Sequence, residues 1–354
     1  MTLTVLSVAY PLAPVGLDAV GGAEQVLTQL DRALIAAGHR SIVIACEGSQ
    51  VAGEHVAVPR ISGLLDDQAV DAARARHREA IMRVLERNAV DVIHLHGIDF
   101  HAYLPPPGPP VLATLHLPIA WYPPAALRPD RPGTWLHCVS RAQHESCAPN
   151  PWLLAPIENG VEIADPPRRH AKRDFALLLS RICPEKGIHV AIDAAKRADL
   201  SLLIGGEVFP YPAHRQYFEE EVLPRLDGRR RFLGPVGLAR KHRLLAAARC
   251  VLIPSLVAET SSLVAREAMA AGTPVVAFRR GALIDTIADG RTGFLVDDIE
   301  GMAHAMGRVS TLNPENCRAA ARERFSLPAM ISGYFDVYKR LARAGDRVRL
   351  VGAA

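Results

Sequence analysis

"CVLIPSLVAETSSLVAREAMAAGTPVVAF", residues 250–278, passes from a strand into a helix and back into a strand. Residues 250–255 form a short, nearly unbroken apolar run closed by Pro254 and Ser255, the pattern of a strand buried on both faces. The next helical pattern opens at Ser261 or Ser262, where a hydroxyl is expected to cap a free amide of the first turn, and it ends at Gly272. "PVVAF", residues 274–278, is a second buried strand. Two acids frame the helix start: Glu259 in the loop and Glu267 in the second turn. A helix start presents amides and a positive dipole end, which suits a phosphate. A ligand with its phosphate there meets one carboxylate at each end, and a nucleotide sugar has that layout of sugar, diphosphate and ribose diol. A solvated helix acid paired with Arg266 or a nearby Lys is the plain alternative for Glu267.

The same alternation extends outward in both directions. "TVLSVAY" (4–10) precedes a helical pattern with Val26, Leu27, Leu30, Leu34 and Ile35 at helical spacing and Gly38 as its stop. "SIVIAC" (41–46), "DVIHLHG" (91–97), "PPVLATLH" (109–116) and "TWLHCVS" (134–140) read as further strands. The pattern breaks at Pro166 and Pro167, which read as a linker. It then resumes with "FALLLSRI" (175–182), a helix over 186–197, "LSLLIGG" (200–206), "RRFLGPV" (230–236), a helix over 239–248, the opening stretch, and "TGFLV" (292–296). Continuous apolar strands between helices imply parallel sheets covered on both faces. The expected fold class is therefore α/β, as two doubly wound, Rossmann-like domains facing a cleft. Their expected bounds are 1–165 and 166–330, and a terminal helix within about 331–354 is expected to cross back to the first domain.

The chain has 354 residues, of which 49% are apolar, enough for two packed cores. Its six cysteines show no CxxC spacing, so neither a zinc knuckle nor a disulfide framework is indicated. The N-terminus lacks a basic stretch and is broken by Pro11 and Pro14, so it reads as a strand rather than a signal peptide. No run of about 18 apolar residues marks a membrane span. A reducing cytoplasm is the expected compartment. Residues 1–165 hold 11 Arg, no Lys and 17 Asp plus Glu, a net of −6; the remainder holds 30 basic and 20 acidic residues, a net of +10. An anionic ligand or surface fits a basic second half, and a solvated basic face is the plainer account.

Arg181 and Lys186 flank the loop after one strand of the second half, and Gly187 opens the next helix. A forked guanidinium and a point-charge ammonium at a strand end can hold a diphosphate and stabilise it as it leaves. Gly205 and Gly206 close the following strand and permit close backbone approach. In the first half, Gly21 and Gly22 precede a helix but do not form a dinucleotide fingerprint. His94 and His96 alternate onto one face without an evident third metal ligand, so no metal site is expected.

Taken in order, R-x4-K-G, a glycine pair after a strand, E-x7-E, "EAMAAGTPVVA" and "GALIDTIADGRTGFLV" resemble the C-terminal domain of the family 4 retaining glycosyltransferases, the glycosyltransferase group 1 class with the GT-B fold. The resemblance is strong over about 175–300 and looser before it. It implies that Arg181 and Lys186 bind the donor diphosphate, that Glu259 lies near the transferred sugar, and that Glu267 binds the ribose hydroxyls. It also implies a donor contact at Gly21, Gly22 and Gly205, with Glu24 as the acid of the first glycine loop. His116 is implied to face the donor sugar, and Asn159 and Gly160 to shape the hinge. The family's usual E-G-F-G-L reads Glu259-Thr260-Ser261-Ser262-Leu263 here, its Gly-Arg reads Ser180-Arg181, and a usual Glu is Asp285. Ser261, Ser262 and Leu263 thus stand where backbone donors normally meet sugar and phosphate.

The expected activity is metal-independent, retaining transfer of a sugar from a nucleotide diphosphate sugar to an acceptor hydroxyl, with no cofactor. Arg181, Lys186, Glu259 and His116 are the expected catalytic group. The alternatives are a nucleotide-sugar epimerase of the same architecture and a non-catalytic nucleotide-sugar-binding module. The expected acceptor is a saccharide, a lipid-linked sugar or a small aglycone, and no nucleic-acid partner is indicated. Peripheral contact with the inner face of a membrane is a further expectation, through Arg74, Arg76, Arg78, Arg83 and Arg87 on one helix; a solvated face explains them as well. Trp121, Tyr122 and Trp135 can stack on an acceptor or pack in the protein.

Overall fold

The computed structural model describes residues 2–61, 63, 65–164 and 171–352, with side chains described as far as residue 344. The chain forms two compact units, Met1–Glu158 with Met330–Ala354, and Asn159–Ala329. Pro166 and Pro167, read above as a linker, lie outside the described residues.

The first unit is built on β1 (Thr4–Val8), β2 (Arg40–Cys46), β3 (Glu54–Val58), β4 (Val92–Leu95), β5 (Val111–Leu115) and β6 (Thr134–Cys138). They pair in the order β3-β2-β1-β4-β5-β6, every neighbour parallel. The second unit carries β7 (Phe175–Leu179), β8 (Ser201–Gly205), β9 (Arg230–Phe232), β10 (Cys250–Ile253), β11 (Val275–Phe278) and β12 (Gly293–Val296). Their order is β12-β11-β10-β7-β8-β9, again all parallel. Each sheet thus reverses its winding once, beside β1 and β4 in the first and beside β7 and β10 in the second. This is the two-domain, doubly wound α/β architecture that the alternation of apolar runs predicts.

Apolar spacing explains how the helices lie on the sheets. In the helix Gly22–Ala36, Val26, Leu27, Leu30 and Leu34 are buried, whereas Ile35, grouped with them by spacing, is 41% exposed. Gly38 ends that helix at φ +74°, and the amides of Gly38 and His39 donate to the Ile35 and Leu34 carbonyls. That is a Schellman stop, whose left-handed position favours glycine. β3 escapes the sequence reading because it lies at the sheet edge, where only Val58 is fully buried. No described helix is long and apolar enough to cross a membrane.

The last helix, Leu327–Gly352, packs on the first unit through Tyr334 and Tyr338, both fully buried. The Tyr338 hydroxyl lies 2.6 Å from His94 Nδ1. His94 Nε2 lies 2.6 Å from the Thr114 hydroxyl, which in turn lies 2.7 Å from His137 Nε2. His96 Nδ1 and His116 Nε2 are 3.1 Å apart with their rings stacked. Burial, with the neighbouring histidines adding, pushes His94 and His96 well below the ordinary imidazole value. It lowers His137 to about 4 and His116 to about 3.

These four histidines are therefore neutral in the folded first unit at neutral pH and must take up protons on unfolding in acid. A base whose folded value is depressed contributes stability that is complete above the unfolded value, about 6.5, and that falls as pH drops toward the folded value. Denaturant unfolding measured from pH 7 to 5 should show stability falling with acid, by up to about 1.4 kcal/mol per pH unit for each histidine that titrates. A flat profile over that range would refute the buried-neutral assignment.

Candidate functional site

The loops after β7 and β10 meet because those two strands are neighbours where the second sheet reverses its winding, the place where open α/β sheets bind ligands. The β7 loop makes a tight turn over Pro184–Lys186 and leaves it through Gly187 at φ +61°. A Cβ on Gly187 would sit 2.3 Å from the Pro254 carbonyl oxygen, so both the backbone angle and the close approach demand glycine. The Leu256 amide donates to the Glu185 carbonyl at 2.8 Å and fastens the loops together.

That junction holds an ion pair. Lys186 Nζ lies 2.5 Å from Glu259 Oε1, and the Glu259 side chain is only 9% exposed. The Ser255 hydroxyl donates to the same carboxylate oxygen. Burial alone pushes the Glu259 carboxyl up, but Lys186, Ser255 and the Arg181 charge together hold it below its ordinary value. The Glu259 backbone is fixed as well: its carbonyl accepts from the Ala282 amide at 2.7 Å, and a Cβ on Gly281 would strike it at 2.3 Å. Among the described residues, no hydrogen bond or ion pair engages the Arg181 guanidinium.

The helix Leu263–Ala270 follows, with its start arranged differently from the sequence expectation. Neither serine caps it. Ser262 adopts the left-handed conformation at φ +53°, and the Ser261 hydroxyl is buried without a hydrogen-bond partner. The expected cap fails because an N-cap residue accepts with its side chain from an extended backbone, which Ser262 does not have. Farther along, Glu267 Oε1 pairs with Lys241 Nζ at 2.7 Å, while its Oε2 is buried without a partner. Arg266, the neighbour considered for that pairing, instead lies fully buried over the Phe325 ring at 4.3 Å and donates to the Asn159 carbonyl. Sequence reasoning missed Ser255 and named no particular lysine for Glu267. A serine closing a buried strand was a readable signal, whereas Lys241 comes from a separate helix and carries none.

The structure brings Arg181, Lys186, Glu259 and the start of the Leu263–Ala270 helix to one edge of the second unit. Gly205 and Gly206 lie on the same sheet, but the protein itself fills the space they leave. A Cβ on Gly206 would meet the Ser180 carbonyl at 1.8 Å, and one on Gly205 would meet Leu179 and Val236 at 2.7 Å. Gly160 likewise lies against the Ser326 backbone, where Val161 and Ser326 form a short bridge. In the first unit, Gly21 caps the Gly22–Ala36 helix, and the Glu24 carboxylate folds back to where a Gly21 side chain would be. His116 is half-buried and lies against the buried His96. Of the arginines on the Asp67–Arg87 helix, Arg74 pairs with Asp99 and Asp71 at 3.0 Å each, and Arg78 donates to the Ala102 carbonyl. Arg76, Arg83 and Arg87 are exposed. Tyr122 is core, its hydroxyl accepting from the Leu117 amide, while Trp121 is 38% exposed.

Comparison with known proteins follows the same division. The family described as Glycosyl transferases group 1 matches residues 173–311, and Glycosyltransferase Family 4 matches residues 20–147. The phosphatidyl-myo-inositol mannosyltransferase of Mycolicibacterium smegmatis is 29% identical, with 97% of this chain and 96% of that protein aligned. The D-inositol 3-phosphate glycosyltransferase of a Nocardioides species is 41% identical over 33% of this chain and 27% of its own length. Among solved structures, AviGT4, a glycosyltransferase involved in avilamycin A biosynthesis, superposes with a TM-score of 0.71 at 24% identity, covering 96% of this chain and 98% of its own. Anabaena HepE, solved with UDP and glucose, gives 0.70 at 18% identity, covering 95% and 99%.

The buried ion pair makes a stability prediction. Removing one partner of such a pair costs about 3–5 kcal/mol when both are fully buried. With Lys186 24% exposed, Lys186→Met should cost about 2–3 kcal/mol at neutral pH. Adding Glu259→Gln should restore part of that loss, because no uncompensated charge then remains. A double-mutant cycle by chemical denaturation tests this, and purely additive losses would refute the coupling.

Proposed function

The chain belongs to the family 4, group 1 glycosyltransferases, and from that premise we propose that it moves a sugar from a nucleotide diphosphate sugar to an acceptor hydroxyl, with retention and without a divalent metal in the transfer step. The observation that carries this reading is the Lys186–Glu259 contact beside the unengaged Arg181 at the reversal of the second sheet. Two cations there can take the charge that develops on a departing diphosphate. Glu259, held ionised by its neighbours, can position the sugar or face positive charge at the reacting carbon. A second carboxylate for a glycosidase-like displacement is not expected, since Glu267 is paired with Lys241 on the preceding helix. Glu267 keeps one buried oxygen without a partner, which suits a ribose hydroxyl. The buried, unpartnered Ser261 hydroxyl at the helix start offers a further polar contact to phosphate or sugar.

The first unit supplies acceptor selection in this reading, as the more loosely matched half. His116, pushed down to about 3 by desolvation and by the neighbouring His137, serves as a hydrogen-bonding group rather than a cation. The relative from Mycolicibacterium is named a phosphatidyl-myo-inositol mannosyltransferase, and HepE was solved with UDP and glucose. A nucleotide-sugar donor and an anionic or lipid-linked acceptor are the classes to test first. Exposed Arg76, Arg83 and Arg87 fit peripheral contact with an anionic membrane surface in the cytoplasm.

Calorimetry with UDP-, GDP-, ADP- and dTDP-sugars, without added metal, is the direct test. One nucleotide series should bind. Lys186→Ala should weaken it roughly tenfold to a hundredfold, the worth of a charged hydrogen bond of about 1.5–3 kcal/mol. Failure of all four series to bind wild type would refute the donor site. With the acceptor found, proton NMR of the product should show the donor's anomeric configuration, and rates should not depend on added Mg2+ or Mn2+. An inverted product, or an absolute Mg2+ requirement, would overturn that part of the proposal. His116→Asn should lower turnover while leaving donor affinity at the wild-type level.

A further inference from the structure

Beside the donor loop, three side chains of different chemistry converge. The Cys183 sulfur, a Glu185 carboxylate oxygen and a His214 ring nitrogen all lie within 4.8 Å of one another. Cys183 is 1% exposed, at the entry to the Pro184–Lys186 turn. His214 lies on the short helix Pro212–Tyr217, and its Nδ1 is buried without a hydrogen-bond partner. A buried imidazole nitrogen without a partner is costly unless something outside the protein meets it. The backbone that carries the three groups is already fixed. The Lys186 amide donates to the Cys183 carbonyl at 3.1 Å, Leu256 donates to the Glu185 carbonyl, and the His214 amide donates to Tyr211 at 3.1 Å. The Ile182 amide donates to the Glu207 carbonyl at 2.9 Å, so the two chain segments are joined just outside the cluster.

We propose that Cys183, Glu185 and His214 form a site for a borderline-soft divalent cation of the zinc class, an ion that pins the 181–187 loop to the helix at 212–217. Sulfur among the ligands selects zinc-like ions over magnesium or calcium, which prefer oxygen. Three protein ligands leave the fourth tetrahedral position to water. Charge balance favours the ion. Thiolate and carboxylate carry two negative charges and the imidazole none, so a divalent cation neutralises the set and leaves Arg181 unopposed toward an anionic ligand. The Cys183 proton is released on binding. Arg181 and Lys186 themselves are not ligands, and the ion has no part in sugar transfer.

The test needs no sugar nucleotide, so it stands or falls apart from the transferase reading. The full chain is stripped with a chelator and titrated with Co2+ as the probe, then with Zn2+. One equivalent should bind, with a thiolate-to-cobalt charge-transfer band and the intense visible bands of tetrahedral cobalt, and Zn2+ should displace it. Cys183→Ser should abolish the charge-transfer band. Glu185→Gln and His214→Gln should each weaken Zn2+ binding at least about tenfold, with unchanged circular dichroism. The Cys138 and Cys147 sulfurs, 3.5 Å apart, are another place where a thiol-bound ion could lodge. A band that survives Cys183→Ser overturns the proposal, as does the absence of any band or unchanged affinity in His214→Gln. If Cys183→Ser fails to fold, the Glu185 and His214 variants decide the question alone.

Discussion

A buried carboxylate must be compensated, and the second unit is organised around compensating Glu259. Its partner is Lys186, which follows a different strand. The pair can form only because β7 and β10 are neighbours in the sheet although they are far apart in the chain. Bringing the two loops that close then dictates the backbone around them. Gly187 must accept the Pro254 carbonyl at its Cα, and Gly281 must accept the Glu259 backbone. Ser255, at the end of β10, is placed to donate to the same carboxylate oxygen as Lys186. One electrostatic requirement therefore accounts for two glycines, one serine and the contact between two loops.

The helix start beside this pair carries a cost that the protein does not relieve internally. A non-glycine residue in the left-handed region costs about 1–2 kcal/mol, and Ser262 sits there without a capping bond in return. Ser261 adds a buried hydroxyl with no partner. Both features lie on the same short stretch between Glu259 and Glu267. Strain and unsatisfied polar groups in one place are stable when the surroundings over-determine them, and here they leave the helix start without a serine cap. The glycine of the family pattern at the position of Ser262 would avoid the strain.

Most of the fold was legible because its signal is local. Strands buried on both faces read as unbroken apolar runs, and helices between them read as a 3.6-residue period. β3 was missed because an edge strand does not need that run. Arg181, Lys186, Glu259 and Glu267 were legible as a spaced pattern of charges at strand ends and helix starts. Their partners were not. Lys241, Ser255 and the Glu185 carbonyl reach the site through tertiary proximity, which spacing does not encode. Cys183 and His214 were invisible for the same reason, since no metal-ligand spacing joins them. The glycine pair at 205–206 was legible as a close approach, but what approaches is the protein's own Ser180 carbonyl. The serine cap failed for a subtler reason: residue type suggested it, and a backbone angle at Ser262 removed it.

The two units differ in the buried polar group that dominates each. The first stores neutral bases: His94, His96, His116 and His137 share hydrogen bonds with one another, Thr114 and Tyr338. The second stores ion pairs, Lys186 with Glu259 and Lys241 with Glu267. Acid acts on these devices at different points. The neutral imidazoles begin to lose their contribution below about 6.5, their unfolded value. Glu259, held below the ordinary carboxyl value, keeps its contribution down to the carboxyl range and loses it only as pH falls further. Between those limits, protonation weighs on the histidine cluster and spares the ion pair. Mild acid therefore weighs on the four histidines of the first unit before it reaches the Lys186–Glu259 pair of the second.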